Sequence, residues 1–414
     1  MVDYQIHRIG NGLTVVTHEA WDTPLATVNI LYGVGSRDED PHRTGFAHLF
    51  EHLMFGGTPQ VPDFDAVVSA VGGENNAFTN CDITNYYITL PADALDTALM
   101  LEADRMVNLD ISQHSLQVQQ HVVTEEYNQR YLNQPYGDVW LLLRPLCYKV
   151  HPYRWPTIGA DIRHVSEATL DDVRAFHSRN YRPDNAILSI AAPLTHEKML
   201  NAVHASFDPV AAPSEPFRRN TLPQEPNQTG ARLLKVERDV PSSKVYIAWP
   251  MCDHAHPHFR ACDLITDLLG NGRSSRLYRN LVMEQGLFTE ADACISGDAD
   301  AGLLVLSGKL CDGIDPELGV EALRREAFRL VEKPVDMYEL QKVINRYENT
   351  FVFSQYKAAD RAMGLGYYTW LGDTSLINSE PDHYRAVTPD ILQQAAQEVF
   401  RDERENVLYY LRQR

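Results

Sequence analysis

Short stretches in which apolar and polar residues alternate are interleaved along the chain with longer ones that repeat at helical spacing. Residues 4–8 and 13–17 read as a hairpin-like pair of strands. Asp22-Thr-Pro-Leu-Ala-Thr-Val-Asn-Ile-Leu-Tyr32 reads as a loop running into a strand. Asp239-Val-Pro-Ser-Ser-Lys-Val-Tyr-Ile-Ala-Trp249 reads the same way 217 residues later, with Asp, Pro, Val and Ile in register. Thr169 and Thr388, 219 residues apart, each suit a helix N-cap, and Pro389 suits a first helical position. The helices they open lead into the apolar strands 186–190 and 406–410. Two landmarks of different type, in the same order and at nearly equal offsets, imply a duplicated chain. The expected fold is α+β: two homologous domains, each a mainly antiparallel sheet packed with helices. The expected division is a metal-bearing domain at 1–208, a Pro-rich polar linker at 209–230, and a homologous domain without a metal site at 231–414.

One helical stretch departs from the usual pattern of one apolar and one polar face. In Thr44-Gly-Phe-Ala-His-Leu-Phe-Glu-His-Leu-Met-Phe-Gly-Gly57, Phe46, Leu49, Phe50, Leu53, Met54 and Phe55 cover nearly every side, so the helix belongs in an interior. Thr44 can cap its start and Gly56-Gly57 can end it. It nevertheless carries His48, Glu51 and His52. Buried without partners, a carboxylate and two imidazoles would cost several kcal/mol. Four residues apart, His48 and His52 lie one above the other and can offer nitrogens to one ion. Zinc prefers such ligands, and a catalytic zinc leaves one position to water. Glu51 borders the same face and is placed to take a proton from water and pass it to a leaving amine. A third protein ligand is then required. The stretch 116–129, with Val122, Val123 and Tyr127 as its expected buried stripe, offers Glu125 and Glu126. Glu102 and Asp104 on the preceding helix are outside candidates.

Charge narrows the field. With 56 acidic against 37 basic residues the formal charge is −19, which argues against a nucleic-acid partner. The six cysteines are scattered, without a Cys-x-x-Cys pair, and are expected to be buried free thiols of a reducing compartment. Neither half has a Gly-rich phosphate loop; Gly270-Asn-Gly272 reads as the turn that ends a helix. No stretch approaches the roughly 18–20 apolar residues that span a bilayer. The expected location is cytoplasmic, or periplasmic if a leader has been removed.

The His-x-x-Glu-His order of His48, Glu51 and His52 resembles the signature of the pitrilysin-like (inverted zincin) metallopeptidases, the group of mitochondrial processing peptidase and insulin-degrading enzyme. Phe55-Gly-Gly-Thr58 and Gly73-Glu-Asn-Asn-Ala-Phe-Thr79 are similarly typical, and Ser274-Ser-Arg-Leu-Tyr278 is similar to a landmark of the family's second half. Its third ligand stands in a Val-Val-x-x-Glu context, which Val122-Val123-Thr-Glu-Glu126 fits, so the resemblance selects Glu126. It implies one zinc per chain, and peptide substrates that add a strand along Asn76, Ala77 and Phe78, read through their backbone. It also implies a homologous partner subunit, as a heterodimer or a homodimer. Two departures carry meaning. Where the family often has a second Glu, seven residues before the third ligand, this chain has Gln119, which can hydrogen-bond but carries no charge; altered tuning around the metal is implied, not its loss. And residues 281–289 lack the Arg and Tyr that active single-chain relatives place after the Ser-Ser-Arg-Leu landmark, with Val282 or Met283 and Phe288 or Thr289 standing there. That implies a division of labour with a zinc-free subunit. The expected function is a zinc-dependent endopeptidase or oligopeptidase, the catalytic half of a heterodimer. The second reading is a non-catalytic scaffold on the same fold, and a structural zinc is disfavoured because it calls for four protein ligands.

Overall fold

A computed structural model describes residues 1–297 and 299–413. The described chain forms two compact units, each assembled from three separate stretches. The first unit holds a six-stranded sheet of β1 (Gln5–Arg8), β2 (Thr14–Glu19), β3 (Leu25–Tyr32), β4 (Glu74–Thr79), β5 (Thr84–Pro91) and β6 (Ala186–Ala192), in the order β1-β2-β6-β3-β5-β4. Only β2 and β6 run parallel. The second unit holds β7 (Arg232–Arg238), β8 (Lys244–Pro250), β9 (Phe288–Ser296), β10 (Leu303–Leu310) and β11 (Asn406–Arg412), in the order β7-β11-β8-β10-β9. There only β7 and β11 run parallel. The second order therefore repeats β2-β6-β3-β5-β4 strand for strand.

The local signals explain the repetition. Val28 and Ile30 of β3, and Ile247 and Trp249 of β8, are wholly buried at alternate positions, as a sheet facing a helical layer requires. Thr169 caps the Leu170–Asn180 helix in a reciprocal capping box with Asp172, and Thr388 caps Pro389–Val399 with Pro389 in the first turn. Gly270 closes the Phe259–Leu269 helix; a Cβ there would stand 2.0 Å from the backbone N of Ala293.

The units are not the contiguous halves that the sequence pattern suggests. Residues 209–231 do lack helix and strand, and the division falls among them, after Leu222. But residues 351–379 belong with the first unit and 128–154 with the second. A buried polar chain accounts for the first exchange. Asn85 Nδ2 donates to Asn29 Oδ1 (2.8 Å), Asn29 Nδ2 to Ser189 Oγ (3.1 Å), and Ser189 Oγ to the carbonyl of Ala362 (2.7 Å). It crosses β5, β3 and β6 and ends on the Ala358–Leu371 helix, whose Gly366 allows the close approach: a Cβ there would lie 2.9 Å from Asn29 Nδ2. The buried Ser189 hydroxyl finds its acceptor on that helix. In the second exchange, Arg232 Nη1 donates to the carbonyl of Leu146 (2.9 Å), and Tyr410 Oη to Asp138 Oδ1 (2.6 Å).

All six cysteines are free thiols; Cys81, Cys147 and Cys262 are buried as expected, whereas Cys294 is exposed on β9. Among the described residues no helix is long and apolar enough to cross a membrane.

Candidate metal centre

The apolar helix of the sequence spans Phe46–Leu53 in the first unit, with Phe46, Ala47, Leu49, Phe50 and Leu53 buried. Its cap is not Thr44. That hydroxyl pairs with His164 Nδ1 (2.8 Å) and accepts from the Ala160 N–H (2.8 Å). Gly45 starts the helix instead at φ 89°, with no side-chain cap. A Cβ at Gly45 would stand 2.8 Å from the carbonyl oxygen of Ile158, so both backbone and space demand glycine. A remote carboxylate takes the capping role. Glu39 accepts from Gly45 N (2.9 Å), Ala47 N (2.8 Å) and Trp155 Nε1 (3.1 Å). Burial pushes this carboxyl up, to about 8, against the downward pull of its three donors. The sequence carries no signal for Glu39, because its helix begins seven residues later. At the other end Gly57, at φ 83° and with no room for a Cβ beside Pro62, turns the chain away.

A second helix, Gln113–Tyr127, packs against the first. Its buried residues are Leu116 and Val123; of the expected stripe Val123 is buried, Tyr127 is half-buried and Val122 is 41% exposed. The 3, 4, 3 spacing puts Leu116, Gln119, Val123 and Glu126 on one face. Gln119 therefore shares the face of Glu126, two turns away and half-buried, while Glu125 is exposed. The outside candidates are engaged elsewhere: Glu102 forms a buried bidentate pair with Arg105 (2.8 and 2.6 Å), and Asp104 accepts from Thr58 and Asn108.

Glu126 Oε2 stands 3.3 Å from His52 Nε2 and 3.6 Å from His48 Nε2. One donor atom from each of the three lies within 4.8 Å of the others, and the imidazole rings are perpendicular, at 89°. Ligands about 2.0–2.1 Å from a tetrahedral zinc stand about 3.3 Å apart, so this donor set fits the ion with little adjustment. His48, Glu126 and His52 are 12, 16 and 25% exposed, sheltered but open to solvent on one side.

Glu51 lies on the same helix, half-buried. Beneath it, Tyr86 Oη donates to the carbonyl of Phe50 (3.2 Å) and pairs with Tyr181 Oη (3.1 Å). Burial first, and the charge of Glu51 in addition, hold both phenols protonated. His177 stacks against both Phe50 and Tyr181, and burial lowers its imidazole to about 4. Sequence reading missed these supports, which are single aromatic residues on distant elements.

Asn76, Ala77 and Phe78 lie on β4, the edge strand, which touches the Phe46–Leu53 helix. Ala77 pairs with Tyr86, and Phe78 is 40% exposed. In the second unit Phe288 is buried, its ring against Gly308 and Gly319, while Met283 is 65% exposed.

Residues 14–138 match the family model described as insulinase (peptidase family M16), and residues 167–347 match the peptidase M16 inactive domain. An uncharacterized zinc protease of Mycobacterium bovis is 31% identical over 303 residues, covering 71% of this chain and 67% of the relative. The chain belongs to peptidase family M16. Another relative, the zinc protease PqqE of Helicobacter pylori, is 29% identical over 411 residues, covering 96% of this chain and 90% of that one. The crystal structure of a protease from Helicobacter pylori superposes with a TM-score of 0.92 at 27% identity, covering 99% and 100% of the two chains. Pitrilysin shares the fold, with a TM-score of 0.77 over 99% of this chain and 45% of its own at 17% identity. The M16 fold is the two-unit α+β architecture described above.

Proposed function

We propose that this M16 chain is a zinc-dependent endopeptidase or oligopeptidase in which His48, His52 and Glu126 hold the metal and Glu51 is the general base. The observation that carries this reading is the convergence of two imidazole nitrogens and one carboxylate oxygen within 4.8 Å of one another, the imidazoles on the helix of a half-buried Glu51. When bound, zinc polarises the scissile carbonyl and brings the pKa of a water toward neutrality. Glu51 takes a proton from the attacking water and delivers it to the leaving nitrogen. Tyr86, through the Phe50 carbonyl, fixes the turn of helix that carries Glu51. A peptide adds a strand to the free side of β4 along Asn76, Ala77 and Phe78, which holds it by backbone hydrogen bonds and admits varied side chains. Gln119, on the face of Glu126, contributes hydrogen bonding without charge around the metal.

The chain works with a homologous partner subunit, in a heterodimer that brings the arginine and tyrosine absent at Val282, Met283, Phe288 and Thr289. The buried ring of Phe288 and the apolar side chain of Met283 support that division.

Glu51→Gln, assayed on a quenched peptide library with metal content measured in parallel, tests the chemistry. The expected result is unchanged zinc with turnover lower by about 10²–10⁴-fold. Undiminished turnover would remove Glu51 from the role of base.

A further inference from the structure

A second convergence of donor atoms lies in the second unit. Cys252-Asp-His-Ala-His-Pro-His258 offers a thiol or an imidazole at every other residue, on the segment between β8 and the Phe259–Leu269 helix. Glu398 reaches it from the last turn of the Pro389–Val399 helix. One donor atom from each of His256, His258 and Glu398 lies within 4.8 Å of the others. His258 Nδ1 stands 2.9 Å from Glu398 Oε2. The two imidazole rings are inclined at 74°, with centroids 5.2 Å apart. Both imidazoles are half-buried and Glu398 is exposed, so the cluster is sheltered on one side and open on the other.

We propose that His256, His258 and Glu398 form a second transition-metal site, which takes a divalent ion of the zinc class independently of the His48, His52 and Glu126 centre. An imidazole nitrogen and a carboxylate oxygen sharing one proton are a natural entry point, because the metal replaces that proton. The pair needs to widen only from 2.9 Å toward the roughly 3.3 Å of two ligands on a tetrahedral ion. His256 is less prepared. The His258 N–H donates to its Nδ1 (3.1 Å), and coordination asks the ring to give up that bond. The site is therefore the weaker of the two.

Chemistry selects the ion. Calcium and magnesium are held by several oxygens, and this cluster has one carboxylate. Arg404 also donates to the carbonyls of Glu398 (3.0 Å) and Pro250 (3.2 Å), a positive charge that disfavours purely electrostatic binding. Two imidazoles suit zinc, nickel or copper. The hydrogen-bonded thiols of Cys252 and Cys262 lie within reach of the charge of Glu398 and add soft character nearby. The ion ties the 252–258 segment to the Pro389–Val399 helix and stabilises the fold by mass action.

The test is zinc titration of the metal-stripped full chain by calorimetry, with melting temperature followed alongside. The wild type is expected to bind about two equivalents, the second more weakly and with a further rise in melting temperature. His256→Ala/His258→Ala should bind about one, keep the tight equivalent and lose the second rise; His48→Ala/His52→Ala should keep the weak one. Glu398→Gln, a milder surface change, should weaken only the second equivalent, and far-ultraviolet circular dichroism confirms folding throughout. Saturation of the wild type at one equivalent, or a second equivalent untouched by both the double variant and Glu398→Gln, overturns the proposal.

Discussion

The helix after β3 and the helix after β8 follow equivalent strands of two sheets with the same order, yet they carry opposite chemistry. In Phe259–Leu269 the polar groups satisfy one another. Arg260 forms a bidentate pair with Glu380 (2.9 and 3.0 Å), and Tyr384 Oη donates to Asp263 Oδ2 (2.7 Å). In Phe46–Leu53, His48 and His52 turn their Nε2 atoms to the same carboxylate oxygen of Glu126. Opposite charges close the first arrangement. The second brings three metal-ligating side chains to one point. One duplicated scaffold thus carries charge-paired side chains on one of these helices and converging metal-ligating side chains on the other, and a handful of residues makes the difference.

The largest effect should come from opening that site. His52→Ala is expected to lose the zinc of the first unit and to reduce turnover by about 10³-fold or more, with little change in melting temperature beyond the lost metal. Arg260→Ala should do the reverse. It strands Glu380, which is 4% exposed, and is expected to destabilise by about 3–5 kcal/mol while the remaining folded protein keeps the zinc of the first unit. Equal effects of the two variants on zinc would break the comparison.

A smaller effect concerns acid. The folded His177 imidazole is lowered to about 4 from an ordinary 6.5, so its neutral form is favoured in the fold. Its contribution is fully present above pH 6.5 and is lost as pH falls toward 4, by up to about 3 kcal/mol. Denaturant melts across that window should show the decline, and His177→Phe should flatten it. A decline unchanged by the substitution would assign the acid sensitivity elsewhere. Smallest of all, Gln119→Glu restores a charge two turns from Glu126 and should change kcat/KM only several-fold, about 1 kcal/mol, at unchanged zinc stoichiometry. Loss of metal would show Gln119 to be more than a hydrogen-bonding neighbour.

Features with a short period were legible in the sequence. The duplicated strands, the two Thr caps and the His-x-x-Glu-His helix are local patterns, and each stands where its spacing indicates. Of the expected buried stripe Val123 turns inward but Val122 does not, because apolar type alone does not fix which face of a mixed helix is covered. Glu39, Trp155, Tyr86 and His177 support the metal helix from other elements, and pairings between distant residues leave no periodic trace. The same reason hid the unit boundaries: the polar chain from Asn85 to Ala362 joins residues 277 positions apart, and only the fold brings them together.

Anomalous diffraction from crystals of the zinc-loaded chain, recorded on both sides of the zinc absorption edge, locates the ion directly. A strong peak is expected about 2.0–2.1 Å from His48 Nε2, His52 Nε2 and a carboxylate oxygen of Glu126. Density showing zinc elsewhere, with these three side chains apart and Glu126 turned to solvent, would contradict it.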